Sequence, residues 1–285
     1  MKFNLTLFTF TLVNVITKSR FQDISMWAMG SNWFGTPQLF VYSYLIDGVL
    51  IDTGHPNIQK QFLDALDSES IDKCVITHHH EDHSGNANAL QRKMEIEIFA
   101  SPKCVNILRN PPRVSPIQHT TWGQNEKVEL TSLDLESIVK TKKYTFDIIE
   151  TPGHAEDMIC LFESNEGWLF SGDNFVNTFI NVFMDNENIS EQIESLKKIL
   201  RLDFDVLLCS HYPQFRNGKA HIRSKLNFLL DFYGRVSEEY QKGSDESEIL
   251  KALGMKKWDI ARILSLGKLS QVNMVRSVVR SLNVT

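Results

Sequence analysis

The chain has 285 residues, a length that suits one large domain or one domain with a small appendage. With 42% hydrophobic and 23% charged residues it has the balance of an ordinary soluble globular protein. A formal net charge of −5 gives no reason to expect the molecule as a whole to bind nucleic acid or a membrane surface.

In chain order, the first segment, MKFNLTLFTFTLVNVI, is fairly apolar and follows a single lysine. Asn4, Thr6, Thr9, Thr11 and Asn14 interrupt it, no small-residue cleavage site follows, and Phe3, Leu5 and Leu7, then Phe8, Phe10 and Leu12, alternate at strand period. It is expected to form a first β-strand with a kink or bulge rather than a signal peptide, and no other segment has the length and apolarity of a bilayer span. Residues 39–54, LFVYSYLIDGVLIDTG, predict a hairpin closed at Asp47-Gly48. Residues 57–68 have helical spacing, 71–80 form a short buried strand, 84–94 a helix and 95–101 another strand. Residues 105–127 are Pro-rich and read as a long irregular loop, of the kind that is functional or mobile in a compact domain.

Three more strands are expected in 144–154, 158–164 and 167–173, then a helix over 189–202 capped by Asn188 or Ser190. Residues 204–212 are the last clear strand and 219–236 an apolar-faced helix. After Gly234 the composition changes to an acidic, polar stretch, and residues 249–285 then carry seven Lys/Arg against one Asp. Three short helical patterns follow, with Gly254 and Gly267 where helix C-caps belong. Strands alternating with helices suggest sheets sandwiched by helices, with residues 1–234 as the main domain and 235–285 as a C-terminal helical extension. The four cysteines, Cys74, Cys104, Cys160 and Cys209, are scattered without a CxxC pair; a disulfide framework does not fit, and a reducing, cytoplasmic compartment does.

The chemistry concentrates in THHHEDHSG, residues 77–85, where the strand of 71–80 ends. His78, His80, Asp82 and His83 are metal-ligand types brought together at a strand end, where side chains can converge from a turn. His154, Asp173 and His211 each follow a later predicted strand in the same way. Together they make enough ligands for two metal ions, with one carboxylate left to bridge them.

This pattern, His78-x-His80-x-Asp82-His83 followed by a later His, Asp and His, resembles the metallo-β-lactamase superfamily. LIDTG with Asp52, TPGH and SGD resemble that family's wording, and the resemblance runs from about Leu39 to His211. It implies an α/β fold, a four-layer αββα sandwich with the metals at the sheet edges, here with a small helical C-terminal appendage. It implies that His78, His80 and His154 hold one ion, that Asp82, His83 and His211 hold the second, and that Asp173 bridges them. Asp52 is then not a ligand but a buried carboxylate hydrogen-bonded to a ligand or its loop. The flavo-diiron branch has Glu where this chain has His80, so zinc is expected ahead of iron or manganese.

The implied chemistry is attack by a metal-bridging hydroxide on an electrophilic carbonyl or phosphorus, with Asp82 orienting the nucleophile. Tyr212 is a candidate proton donor or oxyanion contact, or a packing residue beside the last ligand. His79 and Glu81 are expected spacers, Ser84 a helix cap, and His55 and His119 pocket-lining or surface residues. Arg109, Arg113, His119 and Trp122 on the loop suit an anionic or extended substrate, or are ordinary surface groups. The C-terminal helices are similar in size and position to the winged-helix-like appendage of one branch of broad-specificity hydrolases and endoribonucleases. Val272, Met274, Val275, Val278 and Val279 give the last helix an apolar face, which favours packing or a homodimer contact over gripping RNA. Three functions remain open: a hydrolase of a small ester, thioester or lactone, which is favoured; an endoribonuclease using its basic helices; and a mononuclear iron persulfide dioxygenase.

Overall fold

The computed structural model describes residues 13–32, 39–134 and 138–283. Most of the strand expected in residues 1–16 therefore lies outside the described residues; β1 covers Val13–Phe21. It opens a seven-stranded sheet that continues in order through β2 (Ile24–Asn32), β3 (Val41–Ile46), β4 (Val49–Ile51), β5 (Lys73–Val75), β6 (Glu97–Ala100) and β7 (Thr131–Ser132). Pairing is antiparallel as far as β4 and parallel from β4 to β7. The β3–β4 hairpin turns at Asp47-Gly48 as the sequence predicts, with φ of 43° and 84°.

A second sheet has the order β13 (Val206–Cys209), β11 (Trp168–Gly172), β10 (Ile159–Glu163), β9 (Thr145–Glu150), β8 (Ile138–Lys140). It is antiparallel except where β11 lies parallel to β13. The helices are α1 (Gln59–Ala65), α2 (Glu81–Ser84), α3 (Ala87–Met94), α4 (Pro102–Arg109), α5 (Pro116–Thr121), α6 (Ile189–Ile199), α7 (Gly218–Gln241), α8 (Glu246–Ala252), α9 (Ile260–Leu264) and α10 (Gln271–Leu282). A small pair, β12 (Phe183–Met184) with β14 (Leu269–Ser270), joins the middle of the chain to its C-terminal part.

Three apolar layers follow from the period-2 alternation of the strands. In β10, Ile159 and Leu161 face the first sheet beside Ile46, Ile51 and Val75. Cys160 and Phe162 face outward, into a layer shared with Leu196 of α6, Leu229 of α7 and Val275 of α10. The outer face of the first sheet, with Leu50, Cys74 and Ile98, is covered by Phe62, Leu90 and Leu108 from α1, α3 and α4. The result is the four-layer αββα sandwich. All four cysteines are free and buried, and among the described residues no helix is long and apolar enough to cross a membrane.

Two expectations need correction. Residues 105–127 are not one irregular loop: α4 ends within them and α5 occupies Pro116–Thr121. Of the prolines in this segment, Pro116 stands in the first turn of α5 behind Ser115, as Pro102 just ahead of the segment does in α4 behind Ser101; the two serine hydroxyls accept from Gln118 N and Cys104 N, and Pro111 and Pro112 lie between the helices. Ser115 and Gln118 form a full capping box. Ser84 is no helix cap; it closes α2 and donates its hydroxyl back to the carbonyls of His79 and His80, 2.9 and 3.0 Å away. Asn188 is the N-cap of α6, accepting from Ser190 N and Glu191 N. Helix α7 runs without interruption across positions 234 and 235, where the composition changes. The outer layer of the second sheet contains residues from both sides of that point: Ile222 and Leu226 before it, Val236, Ile249, Val272 and Val278 after it.

Candidate metal centre

The sheet topology explains why residues far apart in sequence meet. β4 and β5 are parallel, so Asp52 and the 77–85 turn leave the same edge of the first sheet. β9 and β11 both run antiparallel to β10, and β13 is parallel to β11, so the turns carrying His154, Asp173 and His211 leave one edge of the second sheet. Ile159 N donates to Thr77 O at 2.9 Å and Tyr42 N to Ser210 O at 2.7 Å, tying the two edges together.

At that junction His80 Nδ1 lies 3.0 Å from His78 Nε2 and 3.1 Å from His154 Nε2. Asp82 Oδ2 lies 3.3 Å from His211 Nε2 and 3.7 Å from His83 Nε2. Asp173 stands between the two groups: its Oδ2 is 3.4 Å from both His154 Nε2 and His211 Nε2, and its Oδ1 is 3.5 Å from His83 Nε2. Each of the sets His78–His80–His154, His78–His83–Asp173 and Asp82–His83–His211 offers ligand atoms all within 4.8 Å of one another. All seven residues predicted as ligands are thus brought together.

The imidazoles are aimed by their other nitrogens. His83 Nδ1 meets Asp52 Oδ2 at 2.8 Å, and Asp52 also accepts from Thr77 N and Thr77 Oγ1 at 2.7 and 2.8 Å. This is the buried-carboxylate role the resemblance implies. His211 Nδ1 lies 2.7 Å from Phe40 O, and His154 Nδ1 lies 3.3 Å from Glu187 Oε2. Such partners fix the tautomer, leaving each Nε2 free to face inward. His79 turns away, to Asp157 at 2.8 Å, and makes no part of the ligand sets. Sequence reasoning missed Glu187 and Asp157: neither lies in a motif, and their partners are 33 and 78 residues away.

The donor set fits a cation. His83 Nε2 and Asp173 Oδ1, both facing the other ligand atoms, are buried with no protein hydrogen-bond partner. Imidazole with carboxylate, and no thiolate, is a set suited to zinc, iron or manganese. Electrostatics agree. Burial, with neighbouring imidazoles, holds His78 and His80 well below the usual histidine range. Burial opposes protonation of His211 and His83 too, but the carboxylates of Asp173 and Asp82 outweigh it: His211 is pushed up to about 10 and His83 well above its ordinary value. Asp82 is lowered to about 2 because His83 and His211 outweigh the cost of burying it. Without an ion, these carboxylates are balanced only by protons on the facing imidazoles.

Comparison with known proteins agrees with this geometry. The sequence profile of the metallo-β-lactamase superfamily matches residues 36–211. The chain belongs to the metallo-β-lactamase superfamily. A hydroxyacylglutathione hydrolase of Francisella tularensis subsp. novicida is 26% identical over 204 residues, covering 70% of this chain and 72% of that protein. A beta-lactamase-like protein 2 homolog of Caenorhabditis elegans is 30% identical over 172 residues, 58% of this chain; the match spans only 52% of that relative's length. A metallo-β-lactamase family protein of Thermus thermophilus superposes with a TM-score of 0.63 over 95% of this chain and 94% of its own, at 13% identity, a likeness of fold. The chain is a metal-dependent hydrolase of this superfamily.

The centre of this metallo-hydrolase opens into a cavity of about 440 Å³. His80, Asp82, His154, Asp173 and His211 form its floor. Val176, Ile180, Val182, Met184 and Trp122 line its walls, with Lys225 and Lys268 as the cations. Glu81, expected as a spacer, also reaches this wall; burial, then Asp82, pushes its carboxyl up to about 7. Of Arg109, Arg113, His119 and Trp122, it is Trp122 that lines this cavity, its ring centroid 6.3 Å from that of His211. Arg113 lines a smaller adjoining pocket with His79, His80 and Glu81, whereas Arg109 is exposed and pairs with Glu129 and His119 lies on the surface. His55 packs on Trp122 at 5.0 Å, and burial lowers its pKa to about 4. Tyr212 is 59% exposed and lies outside the cavity lining.

Proposed function

We propose that this protein is a dinuclear metallo-hydrolase of a small ester, thioester or lactone. The observation that carries the reading is Asp173, whose carboxylate faces both ligand groups at 3.4–3.5 Å at the floor of a mostly apolar cavity. His78, His80 and His154 would hold one ion and Asp82, His83 and His211 the second, with Asp173 shared; zinc is the ion favoured by the donor set. When bound, two such ions lower the pKa of a water towards neutrality and polarise the substrate oxygen.

The chain's own residues supply the rest. Asp82 accepts a hydrogen bond from the attacking water and so orients it. Asp52, Phe40 and Glu187 hold three imidazoles in the tautomer that faces inward. The apolar wall seats the acyl part and keeps bulk water from the reacting carbonyl. The exposed Tyr212 adds nothing to this scheme. The thioester hydrolase among the relatives supports the reaction class.

The endoribonuclease alternative draws less support from the C-terminal cations. Arg276 is paired with Glu246 and Arg280 donates to the carbonyls of Asp185 and Glu187. The persulfide dioxygenase alternative needs a single iron, whereas Asp82, His83 and His211 stand ready as a second ligand set. Metal analysis with a panel of ester, thioester, lactone and RNA substrates tests the reading. About two divalent ions per chain and turnover of a carbonyl substrate are expected. Roughly one iron per chain without zinc, or turnover of RNA alone, would overturn it.

A further inference from the structure

Lys225 occupies an unusual place for a lysine. It sits on α7 in the stripe Ile222, Lys225, Leu226, Leu229, the i, i+3, i+4, i+7 face that packs into the outer layer of the second sheet. It is 2% exposed, yet it lines the cavity above the metal centre. Its ammonium donates to Asn174 O at 2.8 Å. An ammonium has three donors, so this bond leaves two without a protein acceptor among the described contacts. Among the described residues no carboxylate lies within ion-pair distance of it. The nearest acidic influences are Glu187 and Asp173. Glu187 is occupied by His154, Gln192 and the amide of Met184, and Asp173 belongs to the ligand set.

A buried cation beside a site built for further cations is costly unless an anion meets it. Burial already lowers the Lys225 pKa to about 8, so it remains mostly charged at neutral pH. The surrounding wall, Val176, Ile180, Val182 and Met184, supplies no countercharge. We propose that Lys225 anchors a carboxylate carried by the substrate at a point remote from the scissile bond, so that the protein selects anionic acyl substrates. Lys268, the other cation of the cavity, is only half-buried and donates to Arg113 O at 3.1 Å, so Lys225 is the one fully buried ammonium there. One ammonium beside apolar side chains suits a carboxylate on an alkyl chain, whereas a phosphate calls for a cluster of donors. The inference rests on the hydrolase reading and names its substrate class.

The test uses the metal-loaded full chain and matched ester pairs: the p-nitrophenyl monoesters of succinic, glutaric and adipic acid, and the same compounds with the free carboxyl methylated. Each reaction adds water across the acyl–oxygen bond, giving p-nitrophenol and the dicarboxylic acid or its monomethyl ester. The wild-type protein is expected to prefer at least one anionic member over its neutral twin by about 10- to 100-fold in kcat/KM, the range of one buried charge-assisted hydrogen bond. Lys225→Met, which keeps the bulk and removes the charge, collapses that ratio to about one, mainly through KM, and Lys225→Arg restores part of it. Calorimetry gives a second readout. Glutarate binds the wild type more tightly than butyrate does, and Lys225→Met removes the difference. Equal turnover of anionic and neutral esters by the wild type overturns the proposal without needing any variant to fold, as does an unchanged ratio in Lys225→Met. If the wild type cleaves no ester or thioester, the hydrolase reading fails, and the glutarate-to-butyrate comparison still decides the role of Lys225.

Discussion

Ser277, on the last helix of the described chain, donates its hydroxyl to the backbone carbonyl of Glu187 at 2.8 Å and accepts from Ile189 N at 2.9 Å. Arg280, one turn on, donates to the same carbonyl at 3.1 Å. Glu187 in turn faces His154 Nδ1 through its carboxylate. The C-terminal helix is therefore two bonds away from the ligand set and helps to place it, although its own sequence contains no metal-binding residue.

Ser277→Ala should test that link. The substitution leaves a buried amide without its acceptor, and a loss of about 1–3 kcal/mol in folding stability is expected. Because Glu187 also loses a tie, affinity for metal at the His154 set should fall. Thermal melts with a competitive zinc titration measure both; stability loss with no change in zinc affinity would show that α10 supports the fold alone.

Asp52→Asn addresses the second orienting carboxylate. Asp52 has a left-handed φ of 60°, which asparagine tolerates, so the backbone should survive. The amide can still accept from Thr77, but its NH2 would face His83 Nδ1 and favour the tautomer with a proton on Nε2, the atom aimed inward. Metal affinity of the Asp82–His83–His211 set should drop by about 10- to 100-fold, with a folded protein by circular dichroism. Two ions held as tightly as in the wild type would remove the role assigned to Asp52.

The ligands could be read in the sequence because each is adjacent to the end of a strand, and strand periodicity is a local signal. The β3–β4 turn, the Asn188 cap and Gly254, which follows the α8 cap at a φ of 70°, were legible for the same reason, whereas after α9 it is Leu266, at a φ of 55°, that takes the left-handed position ahead of Gly267. Glu187 was not, since its meaning depends on α6 and α10 closing over His154. Lys225 left a faint trace, a cation inside an apolar helical stripe, which ordinarily reads as a solvated residue. The α5 helix is hidden in a Pro-rich segment although Ser115 and Gln118 spell a capping box, because a proline breaks a helix interior yet suits its first turn.

Gly153 precedes His154 at a φ of 131°, and a Cβ there would stand 2.3 Å from the backbone nitrogen of Gln192. Neither α6 nor the His154 turn can yield cheaply, since Asn188 N donates to Gly153 O at 2.8 Å. Gly153→Ala is expected to cost on the order of 2–4 kcal/mol and to displace His154. Reduced metal stoichiometry together with a lower melting temperature is the expected pair of results; a variant with wild-type stoichiometry and melting would show that the turn is more pliant than the packing implies.

The pH dependence of the metal-free protein follows from the direction of the histidine shifts. His78, His80 and His55 have pKa values lowered chiefly by burial, so the unfolded chain takes up protons first and stability falls as pH drops below about 6.5. His83, His154 and His211 go the other way: burial opposes them, but Asp82, Asp173 and Glu187 raise them. Their contribution is complete below the unfolded value near 6.5 and is lost as pH rises towards the folded value, about 10 for His211. Stability of the chelator-treated protein should therefore peak close to neutrality and fall on both sides. Zinc binding must expel the protons on His83 and His211, so affinity should rise with pH above neutrality and calorimetry in buffers of different ionisation enthalpy should register about two protons released per chain near pH 7.5. A zinc affinity that is flat between about pH 6.5 and 9, with no proton release, would show that these imidazoles are already neutral and that the carboxylates around them are balanced in some other way.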